Sequence, residues 1–220
     1  MANERVFPGT LCERLPTDNA AVTVRFIHVA GQCNERRGIP SRDAKSVFVP
    51  SPLGSDQQQT SYWNEEEAVQ VVSLIKEMLR EHDSEAEPYS KSIGVVTPYN
   101  GQVELIKSLM AVDDEFKSLS TRMSSTIEVK SVNGYQGRER DVIFFSAVRS
   151  SRQGKVGFLT DWRLMNVALT RARSALVVVG DLDTLTAGDN HWAAFGIWCH
   201  GMKCIISPDP QNEEETPPLS

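Results

Sequence analysis

The sequence predicts an α/β fold in which a parallel β-sheet is covered by helices on both faces. Short apolar segments of strand length alternate along the chain with amphipathic segments that have a helical period. The strand-length segments are continuous apolar runs, such as Ala175–Val179, which is typical of parallel strands buried on both faces. The chain has 220 residues, 40% of them hydrophobic, which is enough for one large domain with its own core.

The first elements are a strand, a long loop and a helix. Val22–Val29 is rich in β-branched and aromatic residues and predicts a strand, whereas residues 30–61 show no period and predict a loop. A helix is then predicted with Asn64 as its N-cap and Glu67 three residues later, in a capping-box pattern. Its apolar residues have the spacing of one buried helix face: Ala68, Val71, Val72, Ile75, Met78 and Leu79.

The remaining elements continue the alternation. Further strands are predicted at Ser92–Thr97, Ile127–Val132, Val142–Val148, Ala175–Val179 and Lys203–Ile206. Further helices are predicted at about Gly101–Met110, Asp161–Arg173 and Trp192–Trp198. The segment 209–220 is rich in Pro and Glu and predicts a disordered tail, so the predicted domain covers residues 1–208.

Ligands of parallel α/β sheets bind beyond the carboxyl ends of the strands. This rule predicts a site built from residues 97–102, 131–140 and 181–183. We expect the predicted helix that carries Arg171 to pack against these segments.

Charge is distributed unevenly along the chain. The net charge is −6, but residues 121–175 contain ten basic and four acidic side chains and are therefore +6, which leaves −12 for the rest. A basic segment in an acidic chain indicates a local site for the phosphates of a nucleotide or a nucleic acid.

The sequence contains neither an apolar run of membrane-spanning length nor an apolar N-terminal leader. The four cysteines are too scattered for a disulfide framework: Cys12, Cys33, Cys199 and Cys204. We therefore expect an intracellular location, cytoplasmic or nuclear.

The segment Val129–Ser150 joins two predicted strands through a turn that holds Gly134, Gln136 and Gly137. Small residues expose backbone N–H groups at a strand end, which suits close approach to a phosphate. The residues equally allow a surface turn with solvated charges.

The segment Gly157–Asp181 places Arg171 near the end of a predicted helix. An arginine held there could stabilise charge on a phosphate, as arginine fingers do. The alternative is a basic helix end that complements the helix dipole.

Three segments resemble motifs IV, V and VI of superfamily 1 helicases, in the branch typified by the nonsense-mediated-decay helicase: IGVVTPYNGQVELI, SVNGYQGRERDVIFFSAVRS and GFLTDWRLMNVALTRARSALVVVGD. FIHVAGQ and SYWNEEEAVQVV resemble the same branch, so the resemblance extends over about Phe7–Ile206. It implies a C-terminal RecA-like domain of the P-loop NTPase type. In such enzymes ATP lies between two RecA-like domains, and single-stranded RNA or DNA crosses both.

The resemblance also implies roles for individual residues. Arg171 matches the catalytic motif VI arginine that stabilises the γ-phosphate. The positions implied to bind nucleotide are Tyr99, Gln102, Gln136, Gly137 and Glu139. The positions implied to contact nucleic acid are Thr97, Ser131 and Thr170.

The sequence departs from the family pattern at several positions. Asn133 replaces a common Asp, Tyr135 replaces a common Phe, and Leu164 replaces the second Arg of the usual D-x-R-R. The larger departure is that no G-x-x-x-x-G-K-[ST] phosphate loop and no acidic magnesium motif occur in the sequence. The resemblance therefore implies that ATP and Mg²⁺ are bound only in a complete enzyme, with an N-terminal RecA-like domain as partner. The alternative is a stand-alone, non-catalytic module that binds nucleic acid or protein.

Two other groups of residues are weaker candidates. Cys199, His200 and Cys204 have no second ligand pair, so no metal site is predicted. Trp192, Phe195 and Trp198 could stack on bases, but their helical spacing favours core packing.

Overall fold

A computed structural model describes residues 23–29, 34–38, 61–83, 91–122 and 126–207. Within these ranges the strands are β1 (Thr23–His28), β2 (Glu35–Arg37), β3 (Tyr62–Asn64), β4 (Ile93–Thr97), β5 (Ile127–Ser131), β6 (Arg140–Ser146), β7 (Ala172–Gly180) and β8 (Ile205–Ile206). The α-helices are α1 (Glu65–Asp83), α2 (Asn100–Val112), α3 (Asp114–Arg122), α4 (Trp162–Leu169), α5 (Leu182–Gly188) and α6 (Asn190–Gly201). Two short 3₁₀ helices span Asn133–Tyr135 and Gly157–Thr160.

Six of these strands form one sheet in the order β5-β4-β6-β7-β1-β8, and every neighbouring pair is parallel. Strands β2 and β3 form a separate antiparallel pair. Successive side chains of the central strands enter opposite layers of the core: Phe144 lies on one face and Phe145 on the other. The predicted α/β fold with a buried parallel sheet is therefore confirmed.

The helices divide between the two faces. Helices α1, α2 and α3 cover one face, with Ile75 and Ile106 fully buried against it. Helices α4, α5 and α6 cover the other face, where Trp192 stacks on Phe145 at 6.0 Å between ring centroids. The Trp192 indole also donates a hydrogen bond of 3.0 Å to the Leu159 carbonyl, so this aromatic side chain is part of the core.

The predicted helix Asp161–Arg173 is wrong at its carboxyl end. Helix α4 ends at Leu169, and β7 has already begun at Ala172, where it pairs with Arg140 of β6. The helical pattern of the sequence continues to Arg173, but the backbone from Ala172 onward pairs with β6 in the sheet. Sheet pairing of this kind is a long-range interaction that a local pattern does not contain.

Other boundaries shift for local reasons. Strand β6 ends at Ser146, two residues before the predicted end, because the strand geometry is lost by Val148, which has a positive φ of 72°. The sequence did not predict four short elements: β2, β3, α3 and α5. Strands β2 and β3 depend on pairing with each other across the loop, and helices α3 and α5 are too short for a clear apolar period. Strand β2 lies inside the predicted loop 30–61. Most of that loop and the predicted tail 209–220 lie outside the described residues.

Candidate functional site

The residues singled out from the sequence lie at two opposite edges of the sheet. Thr97 and Ser131 end β4 and β5 and pair with each other, so they lie at the carboxyl edge. Arg140 and Ala172 begin β6 and β7 and pair at the amino edge. At about 3.3 Å per residue, strands of this length hold the two edges roughly 15–20 Å apart. The expectation that residues 97–102 and 131–140 all lie at the carboxyl ends is therefore wrong, because the segment 131–140 runs from one edge of the sheet to the other.

The amino edge gathers Gly137, Glu139, Arg171 and Arg173, which we call the amino-edge cluster. The Arg173 Nε donates a hydrogen bond of 3.1 Å to the Glu139 carboxylate. The backbone N–H of Arg140 donates to the Arg171 carbonyl at 3.1 Å, which joins the start of β6 to the residue before β7. These contacts bring together the predicted positions of motifs V and VI.

Arg171 follows helix α4 and folds back over its end. Its Nε donates to the Val167 carbonyl at 3.0 Å, and its Nη2 donates to the Thr170 hydroxyl at 3.0 Å. The side chain is half-buried. In this position its positive charge complements the dipole at the carboxyl end of α4, which is the alternative role considered for Arg171 in the sequence analysis. Thr170, a predicted nucleic-acid contact, thus lies beside Arg171 and away from Thr97.

Gly137 makes the turn that leads into β6. Its φ is +71°, a left-handed conformation that disfavours side chains, and an added Cβ would meet no atom within 4 Å. Gln136 beside it is exposed. Open space and accessible backbone at this turn fit the close approach of a phosphate.

Glu128 was not singled out from the sequence, yet it organises the charges beside this turn. Its carboxylate pairs with Lys130 at 2.5 Å, Arg138 at 3.0 Å and Arg140 at 2.7 Å. The hydrogen bond from Lys130, reinforced by the two guanidinium charges, lowers the pKa of Glu128. Part of the basic segment is therefore neutralised by a carboxylate of the same segment.

The chain between β5 and β6 crosses over β4 without a long helix. Tyr135 is fully buried in this crossover and packs directly on Gly94 of β4. A Cβ on Gly94 would overlap the Tyr135 hydroxyl oxygen, so this strand position requires glycine. The Tyr135 hydroxyl makes no hydrogen bond within the described part of the chain.

Tyr99 and Gln102 lie at the carboxyl edge, and the structure does not bring them to the amino-edge cluster. Gln102 is fully buried: its Oε1 accepts from the Asn64 N–H at 2.8 Å, and its Nε2 donates to the Asn64 carbonyl and the Ser146 hydroxyl. The Tyr99 side chain is also buried, and its hydroxyl accepts from Arg149 at 3.4 Å. A nucleotide contact by either side chain would require these hydrogen bonds to break.

Glu67 forms the centre of a buried polar network that the sequence did not predict. The N-cap role of Asn64 is confirmed, since its Oδ1 accepts from the Glu67 N–H at 3.2 Å. The Glu67 carboxylate instead turns into the core and accepts hydrogen bonds of 2.7 Å from the Ser146 hydroxyl and the Val148 N–H. Burial raises the pKa of Glu67 to about 8, and the negative charge of Asp181 adds to this effect.

Arg149 and Glu35 form a second buried contact at the carboxyl edge. The Arg149 guanidinium binds both Glu35 carboxylate oxygens, at 2.7 and 3.1 Å, and lies 4.3 Å from the Tyr62 ring centroid. The Ser150 N–H also donates to Glu35 at 2.9 Å. This pair fastens the β2–β3 unit to the segment after β6.

The predicted nucleic-acid contacts Thr97 and Ser131 lie side by side at the carboxyl edge. Thr97 is fully buried, and its hydroxyl makes no hydrogen bond to any described residue. Ser131 is partly exposed.

Among the described residues, no group of three or more His, Cys, Asp or Glu side chains could hold a metal ion. In the same part of the chain, no helix is long and apolar enough to cross a membrane.

Comparison with known proteins identifies the class to which this fold and these motifs belong. Residues 15–183 match an AAA domain family of helicases, and the chain belongs to this family. Helicase sen1 of Schizosaccharomyces pombe is 35% identical over 70% of the chain. DNA polymerase alpha-associated DNA helicase A of Saccharomyces cerevisiae is 37% identical over 77% of the chain. The regulator of nonsense transcripts 1 homolog of Arabidopsis thaliana is 43% identical over 67% of the chain.

These relatives confirm the resemblance to superfamily 1 helicases and to the nonsense-mediated-decay branch. The chain spans only 9%, 25% and 11% of the length of these three relatives, respectively. It therefore corresponds to a limited part of each of them.

Proposed function

We propose that this chain is the C-terminal RecA-like domain of a two-domain, ATP-dependent superfamily 1 helicase. In this proposal its motifs IV, V and VI contribute to an ATP cleft and to a track for single-stranded RNA or DNA. An N-terminal RecA-like domain is the partner that supplies the phosphate loop and the Mg²⁺ ligands. We place the protein inside the cell, in the cytoplasm or nucleus, and its family likeness is to the nonsense-mediated-decay helicase.

The observation that carries the proposal is the division of the predicted residues between the two edges of one rigid sheet. Arg171 and Glu139 lie at the amino edge, where their side chains are accessible at least in part. Thr97 and Ser131 lie at the carboxyl edge. A domain that couples ATP hydrolysis to movement along nucleic acid needs two such surfaces joined by a stiff element. Strands β4, β5 and β6 join them through paired, mostly buried backbone.

The residues of the amino-edge cluster fit the charge of a nucleotide triphosphate. Arg171 and Arg173 supply guanidinium groups, which donate hydrogen bonds in a fork that matches phosphate oxygens. We infer that Arg171 leaves the end of helix α4 and stabilises the charge that develops on the γ-phosphate as water attacks in line. If Arg171 exchanges its contacts with Val167 and Thr170 for a phosphate, its half-buried guanidinium moves, while the buried residues of α4, Met165 and Ala168, stay packed.

A chimaera tests the proposal. In it, this chain replaces the matching segment of DNA polymerase alpha-associated DNA helicase A of Saccharomyces cerevisiae, and ATPase activity is measured with single-stranded nucleic acid. We expect stimulated turnover that Arg171→Ala lowers by about 10³-fold or more, with a smaller effect on ATP affinity. Arg171→Lys should restore little, because lysine lacks the planar fork.

Arg80→Ala is the matched control, because Arg80 is a half-exposed arginine of α1 paired with Glu115, outside both edges. It should leave turnover unchanged. An active chimaera in which Arg171→Ala behaves like Arg80→Ala would contradict the proposal and favour a non-catalytic module.

A further inference from the structure

Two large aromatic side chains are exposed near the carboxyl edge, and the proposed function does not use them. Phe158 is 60% exposed and Trp162 is 53% exposed, and we call them the aromatic pair. They lie four positions apart, on the 3₁₀ helix Gly157–Thr160 and at the first residue of α4. Apolar rings of this size normally bury most of their surface, so two exposed rings this close in sequence are a candidate for binding.

The backbone that carries the aromatic pair is held rigidly. Leu159 between them is buried, and its carbonyl accepts a hydrogen bond of 3.0 Å from the Trp192 indole. Asp161 caps helix α4 by accepting from the Arg163 N–H at 2.9 Å. The rings are therefore displayed by fixed backbone, and binding to them costs little ordering of the chain.

The pair adjoins the predicted nucleic-acid contacts. The Phe158 ring lies 5.9 Å from the Tyr99 ring, centroid to centroid, and Tyr99 follows Thr97 by two residues. The buried Tyr99 ring thus connects the exposed Phe158 ring to the end of β4, where Thr97 lies.

The charged residues close to the aromatic pair in the sequence are mainly positive. The Arg163 guanidinium lies 5.7 Å from the Trp162 ring centroid, and Arg152 and Lys155 are exposed in the preceding loop. Asp161 is the single acidic residue between positions 150 and 163, whereas the whole chain has a net charge of −6. Exposed rings among cations combine the two features that bind single strands: stacking for bases and positive charge for phosphates.

We propose that the aromatic pair is a base-stacking subsite for single-stranded nucleic acid. The inference rests on the proposed function, since it extends the nucleic-acid track at the carboxyl edge. Trp162 occupies the x position of the D-x-R-R pattern, which the pattern leaves open to any residue. Stacking tolerates any base, and the subsite therefore adds affinity without sequence preference.

The test compares two labelled strands of equal length and phosphate number, an oligothymidylate and its abasic counterpart. Binding to the full chain is measured by fluorescence anisotropy at low salt. We expect the wild type to bind oligothymidylate about five- to hundredfold more tightly than the abasic strand. Trp162→Ala should remove most of this preference, and Trp162→Phe should retain most of it.

Two controls separate stacking from charge and from general surface effects. Ile197→Ala removes an apolar side chain that is 74% exposed on α6 and should change neither affinity. Lys155→Gln should weaken both strands by the same factor, because it removes phosphate attraction alone. Melting curves of all variants should match the wild type, since each altered side chain is exposed.

The outcomes distinguish this inference from the function on which it rests. Binding of both strands with equal affinity, unchanged by Trp162→Ala, would overturn the stacking subsite and leave the nucleic-acid track standing. Failure of the wild type to bind either strand would overturn both. If Trp162→Ala spared oligothymidylate binding but weakened association with a first RecA-like domain, the pair would be a protein contact and the inference would be wrong.

Discussion

The carboxylate of Glu67, in the first turn of helix α1, accepts a hydrogen bond of 2.7 Å from the backbone N–H of Val148, 81 positions along the chain. The Val148 carbonyl in turn accepts from the Asn64 side chain at 3.2 Å. Both backbone groups of Val148, which has the unfavourable φ of 72°, are thus held by the N-terminus of one helix. This contact fixes the direction in which the chain leaves β6.

Because Glu67 is buried, we expect the free energy of unfolding to depend on pH. Its pKa is raised from 4.5 to about 8 in the folded protein, so the folded state holds this proton more tightly than the unfolded state. Below pH 4.5 this carboxyl is protonated in both states, and its contribution to the free energy of unfolding is fully present. As pH rises through about 8 the folded state also loses the proton, and that contribution is lost. We expect Glu67→Gln, which cannot ionise, to gain stability relative to wild type between pH 5.5 and 9.

Urea unfolding of both proteins across that pH range measures the difference. Glu66→Gln is the control, because Glu66 is the exposed neighbour on the same helix. A difference between Glu67→Gln and wild type that stays constant with pH would show that Glu67 does not titrate in this range.

We expect substitutions at Gly94 and Tyr135 to have coupled effects on the free energy of unfolding, because the two residues are in contact. Gly94→Ala should lower the free energy of unfolding by about 1–3 kcal/mol, because its Cβ would overlap the Tyr135 hydroxyl. Tyr135→Phe should raise it by about 1 kcal/mol, because a buried hydroxyl without a described partner is removed. The double variant should recover part of the loss.

Chemical denaturation of the three variants gives these values. Gly201→Ala serves as control, since a Cβ there meets no atom within 4 Å and the added methyl should be harmless. Additive effects at Gly94 and Tyr135 would mean that the two side chains do not share space.

Removing one partner of the Glu35–Arg149 ion pair should strongly lower the free energy of unfolding. The Arg149 side chain is only 7% exposed, so Glu35→Ala leaves a guanidinium buried without its carboxylate. We expect a loss of about 3 kcal/mol in the free energy of unfolding. Glu104→Ala breaks the exposed pair with Lys107 on α2 and should cost less than about 1 kcal/mol. Similar values for the two variants, measured by thermal and urea unfolding, would contradict a tightly buried pair.

The isolated chain should not hydrolyse ATP, since its sequence contains neither a phosphate loop nor an acidic magnesium motif. We expect it to bind single strands weakly, with an affinity that falls steeply as salt increases. A phosphate-release assay and anisotropy titrations at several salt concentrations measure these properties. Magnesium-dependent turnover that Arg171→Ala abolishes, or tight binding that salt leaves unchanged, would contradict this expectation.

The sequence predicted the parallel sheet, the one-sided helix α1 and the helicase family. Each of these rests on a local pattern: apolar runs of strand length, a repeated i, i+3, i+4 spacing, and motifs such as SVNGYQGRERD. Local patterns also gave Asn64 as an N-cap, because its side chain bonds three residues away. The roles implied for Arg171 and the other site residues remain predictions.

Tertiary structure alone decided how the motif residues are shared between the two edges of the sheet. The crossover over β4 carries the turn that resembles motif V from the carboxyl edge to the amino edge, and β7 takes up residues whose pattern favoured a helix. Tertiary structure also decided that Glu67, which the sequence marked only as the third residue after the N-cap, lies in the core. Such outcomes depend on hydrogen bonds and packing between residues many positions apart, and their energies outweigh the weaker preferences that a local sequence expresses.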